Sequence, residues 1–78
     1  MNTYYSSFVT NNGTHNAKPY ENSNKAKAYT EIVKIARGYL GPTDSARVYV
    51  WRIENDRRVD IYAAAVTSTT TLYKQTEF

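Results

Sequence analysis

Two segments, Ala46-Arg47-Val48-Tyr49-Val50-Trp51-Arg52-Ile53-Glu54 and Arg58-Val59-Asp60-Ile61-Tyr62-Ala63-Ala64-Ala65-Val66, stand on either side of Asn55-Asp56-Arg57. Both are rich in β-branched and aromatic residues, which fit a pleated and half-buried surface, and the residues between them are polar turn formers. They predict an antiparallel hairpin. With Asn55 and Asp56 as a two-residue loop, Glu54 faces Arg57, and counting outward sets Arg52 opposite Val59, Val50 opposite Ile61 and Val48 opposite Ala63. That face is aliphatic. The other pairs Ile53 with Arg58, Trp51 with Asp60, Tyr49 with Tyr62 and Arg47 with Ala64, so it is aromatic and charged. A loop two residues longer keeps these faces, whereas a slip of one residue mixes them, because successive strand side chains point to opposite sides.

The aliphatic face needs a cover, and the sequence supplies one upstream. From about Asn24 to Leu40 the apolar residues Tyr29, Ile32, Val33, Ala36, Tyr39 and Leu40 recur at three- and four-residue spacing, one stripe of a helix. Asn22, Ser23 or Asn24 is placed to cap its first N–H groups, and Gly41-Pro42 is a stop signal. The opposite face holds Lys27, Thr30, Glu31, Lys34 and Arg37, with Glu31 flanked by Lys27 and Lys34 at helical-neighbour spacing.

Outside this unit, Thr3 to Thr10 has strand composition and ends at Asn11-Asn12-Gly13, residues that tolerate positive φ. The polar stretch that follows contains Pro19 and returns as a short edge strand around Ala17 to Tyr20 or wanders as a loop. Thr67 to Thr71 is a threonine-rich link, and Leu72 to Thr76 adds a final strand. The expected architecture is α+β and two-layer, one amphipathic helix packed on a small antiparallel sheet of three to five strands. At 78 residues the expectation is a single compact domain over 1–78, with too little chain for a second core.

Composition bounds the function. Eight tyrosines accompany no cysteine, one histidine and one tryptophan. Tyrosine offers rigid, amphipathic contact area at low entropic cost, so this stock favours recognition over chemistry. The absence of cysteine removes disulfides and thiolate metal sites and is consistent with the cytoplasm. The apolar run Ala63 to Val66 is far short of the roughly 20 residues that span a bilayer as a helix. Met1 to Ser7 lacks the basic and apolar regions of a secretory signal, so the chain is expected to stay where it is made. A net charge of +3 permits an anionic partner without requiring one.

Catalytic and metal constellations are not indicated. His15 lies among Asn, Thr and Gly, and a zinc site needs more ligands than it has beside it. Nucleophilic catalysis by Ser or Thr needs an activating base and an oxyanion donor, which no motif supplies. Glu54, Asp56 and Asp60 gather at the hairpin but share it with Arg57 and Arg58, which points to charge pairing at a solvated turn rather than to paired carboxylates at work. Gly13, Gly38 and Gly41 have no phosphate-loop spacing. The reading is a non-enzymatic protein without cofactor or metal.

The candidate partner-binding residues are Arg47, Tyr49, Trp51, Arg58 and Tyr62 on the outer sheet face, with Lys27, Lys34 and Arg37 on the helix. Clustered rings flanked by guanidiniums grip a protein through buried aromatics and charge-assisted bonds. The same groups suit stacking of exposed bases, which makes a single- or double-stranded nucleic-acid-binding protein the alternative. In a third possibility the rings are core, covered by the terminal segments or by a second copy, so monomer and homodimer both stand open.

A short strand, a linker, one amphipathic helix and a hairpin in so small a chain resemble several small phage-encoded anti-CRISPR proteins. Between Ser23 and Ala63, Lys25-Ala26-Lys27 entering the helix and Val50-Trp51-Arg52-Ile53-Glu54 before the turn are similar to the helix and hairpin of a type I inhibitor. The opening Met1-Asn2-Thr3-Tyr4 is similar to the start of another. The resemblance implies a stoichiometric inhibitor, acting in the host cytoplasm, that docks on a type I CRISPR surveillance complex and blocks its access to DNA or to its nuclease. The positive net charge departs from the acidic, DNA-mimicking members of that class.

Overall fold

The computed structural model describes residues 3–76. Met1 and Asn2, part of the opening compared above with an inhibitor's start, lie outside the described residues. In chain order the elements are β1 (Tyr4–Thr10), β2 (Tyr20–Asn22), α1 (Lys25–Arg37), β3 (Ser45–Glu54), β4 (Arg57–Thr67) and β5 (Thr71–Thr76). The strands form one sheet in the order β2-β1-β3-β4-β5, antiparallel at every pairing. One helix packs on this five-stranded sheet, so the α+β expectation holds. The predicted early edge strand forms a few residues later than expected, at Tyr20–Asn22.

The hairpin turn is the two-residue loop. Asn55 and Asp56 have φ of 51° and 61°, the positive values at both central positions whose twist matches that of the flanking strands. Asn and Asp tolerate this region better than other side chains, and the turn fixes Glu54 opposite Arg57, then Ile53–Arg58, Arg52–Val59 and Trp51–Asp60, as the sequence predicts.

The next pair departs from the prediction. Val50 faces Tyr62 rather than Ile61, which leaves Ile61 as the extra residue of a β-bulge. Every later pair moves by one, so Val48 faces Ala64 instead of Ala63, Tyr49 faces Ala63 instead of Tyr62, and Arg47 faces Ala65 instead of Ala64. Burial supplies the reason. Strict alternation from Ile61 would turn Ala63 and Ala65 inward and leave Tyr62, Ala64 and Val66 outside. With the bulge Ile61, Ala64 and Val66 are all core residues and Tyr62 packs against them. Exchanging an alanine for a valine in the core adds about 1.5 kcal/mol of apolar burial, and the tyrosine ring adds more.

The helix stripe Ala28, Ile32, Val33 and Ala36 lies over β1 and β3 and meets Phe8, Val48, Val50 and Val66. Ala28 extends the predicted stripe toward the N-terminus. Asn24 is the cap, its Oδ1 accepting from the Lys27 N–H at 3.0 Å. The helix ends at Arg37 rather than Leu40. Gly38 keeps right-handed backbone angles, and the N–H groups of Tyr39 and Leu40 reach carbonyls only three residues back, a tightened terminal turn. Tyr39 therefore leaves the stripe: it is exposed, with its ring stacked on Phe8 at 5.3 Å.

Ile32 has no solvent exposure. Ile32→Ala is expected to lower unfolding free energy by about 3 kcal/mol through lost burial and the cavity left behind, measured by urea denaturation monitored by circular dichroism. A loss below about 1 kcal/mol would contradict this packing.

Candidate functional site

The sheet has a second face, and among the described residues no helix packs on it. Register assigns its members. Tyr5, Ser7 and Val9 of β1 stand beside Trp51, Tyr49 and Arg47 of β3, and those beside Asp60, Ala63 and Ala65 of β4. Tyr73 and Gln75 of β5 continue the surface past Ala65 and Ala63, and Glu21 of β2 lies next to Tyr5. The small side chains Ser7, Ala63 and Ala65 make a shallow floor between the rings.

Four of the predicted residues, Arg47, Tyr49, Trp51 and Arg58, share this face. Tyr62 does not. The bulge at Ile61 turns it to the helix side, where its ring centroid lies 5.2 Å from that of Tyr29, so it belongs to the packing under the helix. The helix cations are also elsewhere. Lys27, Lys34 and Arg37 sit on the opposite side of the sheet from Tyr49 and Trp51, so they form no joint surface with the rings. Arg37 is tied down there, its Nε donating to the Thr67 carbonyl at 3.1 Å and its Nη2 to Thr71 Oγ1 at 3.4 Å.

Trp51 does not stand up as a free ring. It is 8% exposed, stacked against Tyr5 at 6.2 Å and covered by the Arg58 guanidinium 4.0 Å from its centroid. Arg58 is held in turn by Asp60, its Nε donating to Oδ1 at 2.8 Å. The guanidinium thus covers the indole while its own charge is paired with Asp60. Tyr49 and Tyr5 are half-buried, while Arg47 and Tyr73 are exposed. Sequence reasoning missed Tyr5 because its place depends on the non-local pairing of β1 with β3, and Tyr73 because its face depends on the register shift between Ala65 and Val66 in the β4–β5 pairing. Tyr5 enters the site only because β1 inserts between β2 and β3.

The remaining chemical candidates are occupied by local bonds. Arg52 Nη2 donates to Glu54 Oε2 at 3.0 Å, which together with the Arg58–Asp60 pair accounts for two of the hairpin carboxylates. His15 is exposed and its Nδ1 is 2.9 Å from the Asn16 carbonyl oxygen. Among the described residues no group of three His, Asp or Glu side chains is placed to hold a metal ion, and no helix is long and apolar enough to cross a membrane. No protein-family model, curated protein or solved structure matches the chain.

Trp51 is the chain's one tryptophan, so its fluorescence reports on this face directly. Arg58→Ala is expected to move its emission to longer wavelength and raise its quenching by acrylamide, with a stability loss of about 1 kcal/mol or less for an exposed cation–π contact. An unchanged spectrum would mean that the guanidinium does not cover the ring.

Proposed function

We propose that this chain is a non-enzymatic binding protein that docks on another protein through the sheet face of Tyr5, Arg47, Tyr49 and Trp51. The observation that carries the reading is the combination of half-buried rings with balanced charge on a face without a helix. Arg47 and Arg58 are matched there by Glu21 and Asp60. Such a face offers buried anchors and a polar rim, the composition of a protein interface.

The same arrangement weighs against a stacking platform for nucleic acid. Backbone phosphates are bound by accumulated positive charge, whereas here most of the cations lie away from the rings, and the largest ring already carries Arg58 on its surface. The resemblance to small phage inhibitors supplies the partner class: a subunit of a type I CRISPR surveillance complex, blocked where it admits DNA or recruits its nuclease. In that role the protein is a phage or mobile-element product acting in the host cytoplasm.

Tyr49 and Arg47 are the residues to test, since both reach solvent and neither belongs to the helix-side core. Co-elution of the purified chain with a type I surveillance complex is expected, and Tyr49→Ala with Arg47→Glu should weaken binding about thirtyfold, a hot-spot loss of about 2 kcal/mol, with the circular dichroism spectrum unchanged. Unaltered co-elution by the double variant would overturn the docking face. No co-elution, with direct DNA binding that falls steeply as salt is added, would favour the nucleic-acid reading.

A further inference from the structure

The two edges of the sheet are finished differently. On one side β2 is three residues long, and the chain before it closes the rest of β1. Asn16 Oδ1 accepts from the Phe8 N–H at 3.0 Å, its Nδ2 donates to the Lys18 carbonyl at 2.7 Å, and His15 bridges to Val9. On the other side β5 runs for six residues, all exposed, and no described strand lies beyond it. Edge strands are normally blunted by brevity, proline, a bulge, a covering loop or charged side chains, lysine above all, because their outward N–H and C=O groups are a template for pairing. Thr71–Thr76 contains no proline and no acid. Its guards are a register shift near its start, where Ala65 faces Tyr73 and Val66 faces Thr71, and one lysine, Lys74, drawn onto the helix-side rings, its Nζ 4.1 Å from the Tyr29 centroid and 4.7 Å from that of Tyr62; residues 73–76 pair regularly with β4 and carry no other charge.

Beside β5, on the helix side, runs a groove of about 400 Å³ lined by Tyr29, Thr30, Val33, Lys34, Arg37 and Thr71. Its floor is apolar and its charges are all of one sign, with Lys74 adding a third cation at the β5 wall. None of these lining side chains is acidic. The nearby carboxylate of the helix, Glu31, belongs to the other flank, where its Oε2 accepts from Asn22 Nδ2 at 3.0 Å.

We propose that the β5 edge and this groove together dock an extended segment of another protein that carries acidic side chains at alternate positions. Added as a sixth strand, such a segment turns every second side chain toward the helix side, where carboxylates meet Lys34, Arg37 and Lys74. A second copy of this chain is a poorer occupant, because its own β5 and groove bring the same cations into a like-charged pairing. The site lies across the sheet from the Tyr49 face and stands independently of the function proposed for that face.

The probe is an end-capped peptide of alternating Glu and Val, with a Lys and Val counterpart as control, titrated into isotopically labelled protein and followed by amide chemical shifts and fluorescence anisotropy. The acidic peptide is expected to bind, with shifts confined to β5 and residues 29–37, and Lys34→Glu to weaken it about fivefold or more. Lys74 also stacks on two rings, so the exposed Lys34 decides the question. No shifts at millimolar peptide, equal binding of the basic peptide, shifts centred elsewhere, or an unaffected Lys34→Glu variant would each overturn the proposal. So would a dimer by light scattering that protects the β5 amides from exchange, which would assign the edge to a second copy.

Discussion

One extra residue in β4 divides this molecule into its two surfaces. Before the bulge at Ile61, Arg58 and Asp60 face outward and Val59 faces the helix side; after it, Ala63 and Ala65 face outward while Ala64 and Val66 go inside. Ile61 and Tyr62 both belong to the inner side. Without that insertion the core would lose Val66 and the Tyr62 ring and would bury two alanines in their place. The outer face would exchange its shallow alanine floor for a tyrosine and a valine. Core and candidate interface are therefore two results of the same local irregularity, and bulges commonly serve to re-aim side chains in this way.

Much of the fold was legible because local rules carry it. The helix stripe has an unambiguous period, the Asn-Asp loop has a specific backbone requirement, and the strands at Val48 and Val59 alternate as exposed-and-buried strands do. These features predicted the helix, the hairpin and its first four pairs. What strict alternation could not predict was the bulge, since Arg58-Val59-Asp60-Ile61-Tyr62-Ala63-Ala64-Ala65-Val66 reads as a strand in either register and its run of three alanines carries no face preference. The competition was decided by burial of Val66 and Tyr62, a tertiary term absent from local pattern. The end of the helix was misplaced for a similar reason: Tyr39 continues the period, yet its ring is used against Phe8 after the backbone has tightened.

The candidate site was legible in part. Arg47, Tyr49, Trp51 and Arg58 share a face because β3 is regular and the turn fixes the near end of β4. Tyr62 was lost to the bulge, and Lys27, Lys34 and Arg37 proved to lie across the sheet from the rings. Tyr5 became visible only through the pairing of β1 with β3, a contact between residues far apart in sequence. Separation of the helix cations from the rings leaves only Arg47 and Arg58 beside them and changes the weight of the alternatives, because a surface for stacked bases needs accumulated positive charge with the rings, whereas a protein interface needs the rings with balanced charge.

The division of faces is most directly tested by nuclear Overhauser contacts among assigned aromatic rings. The account predicts contacts between Tyr62 and Tyr29, whose centroids lie 5.2 Å apart, together with contacts from Tyr49 to the Ala63 methyl group. Contacts between the rings of Tyr49 and Tyr62, with none from Tyr62 to Tyr29, would show β4 running without its bulge and would contradict the assignment of core and interface built on it.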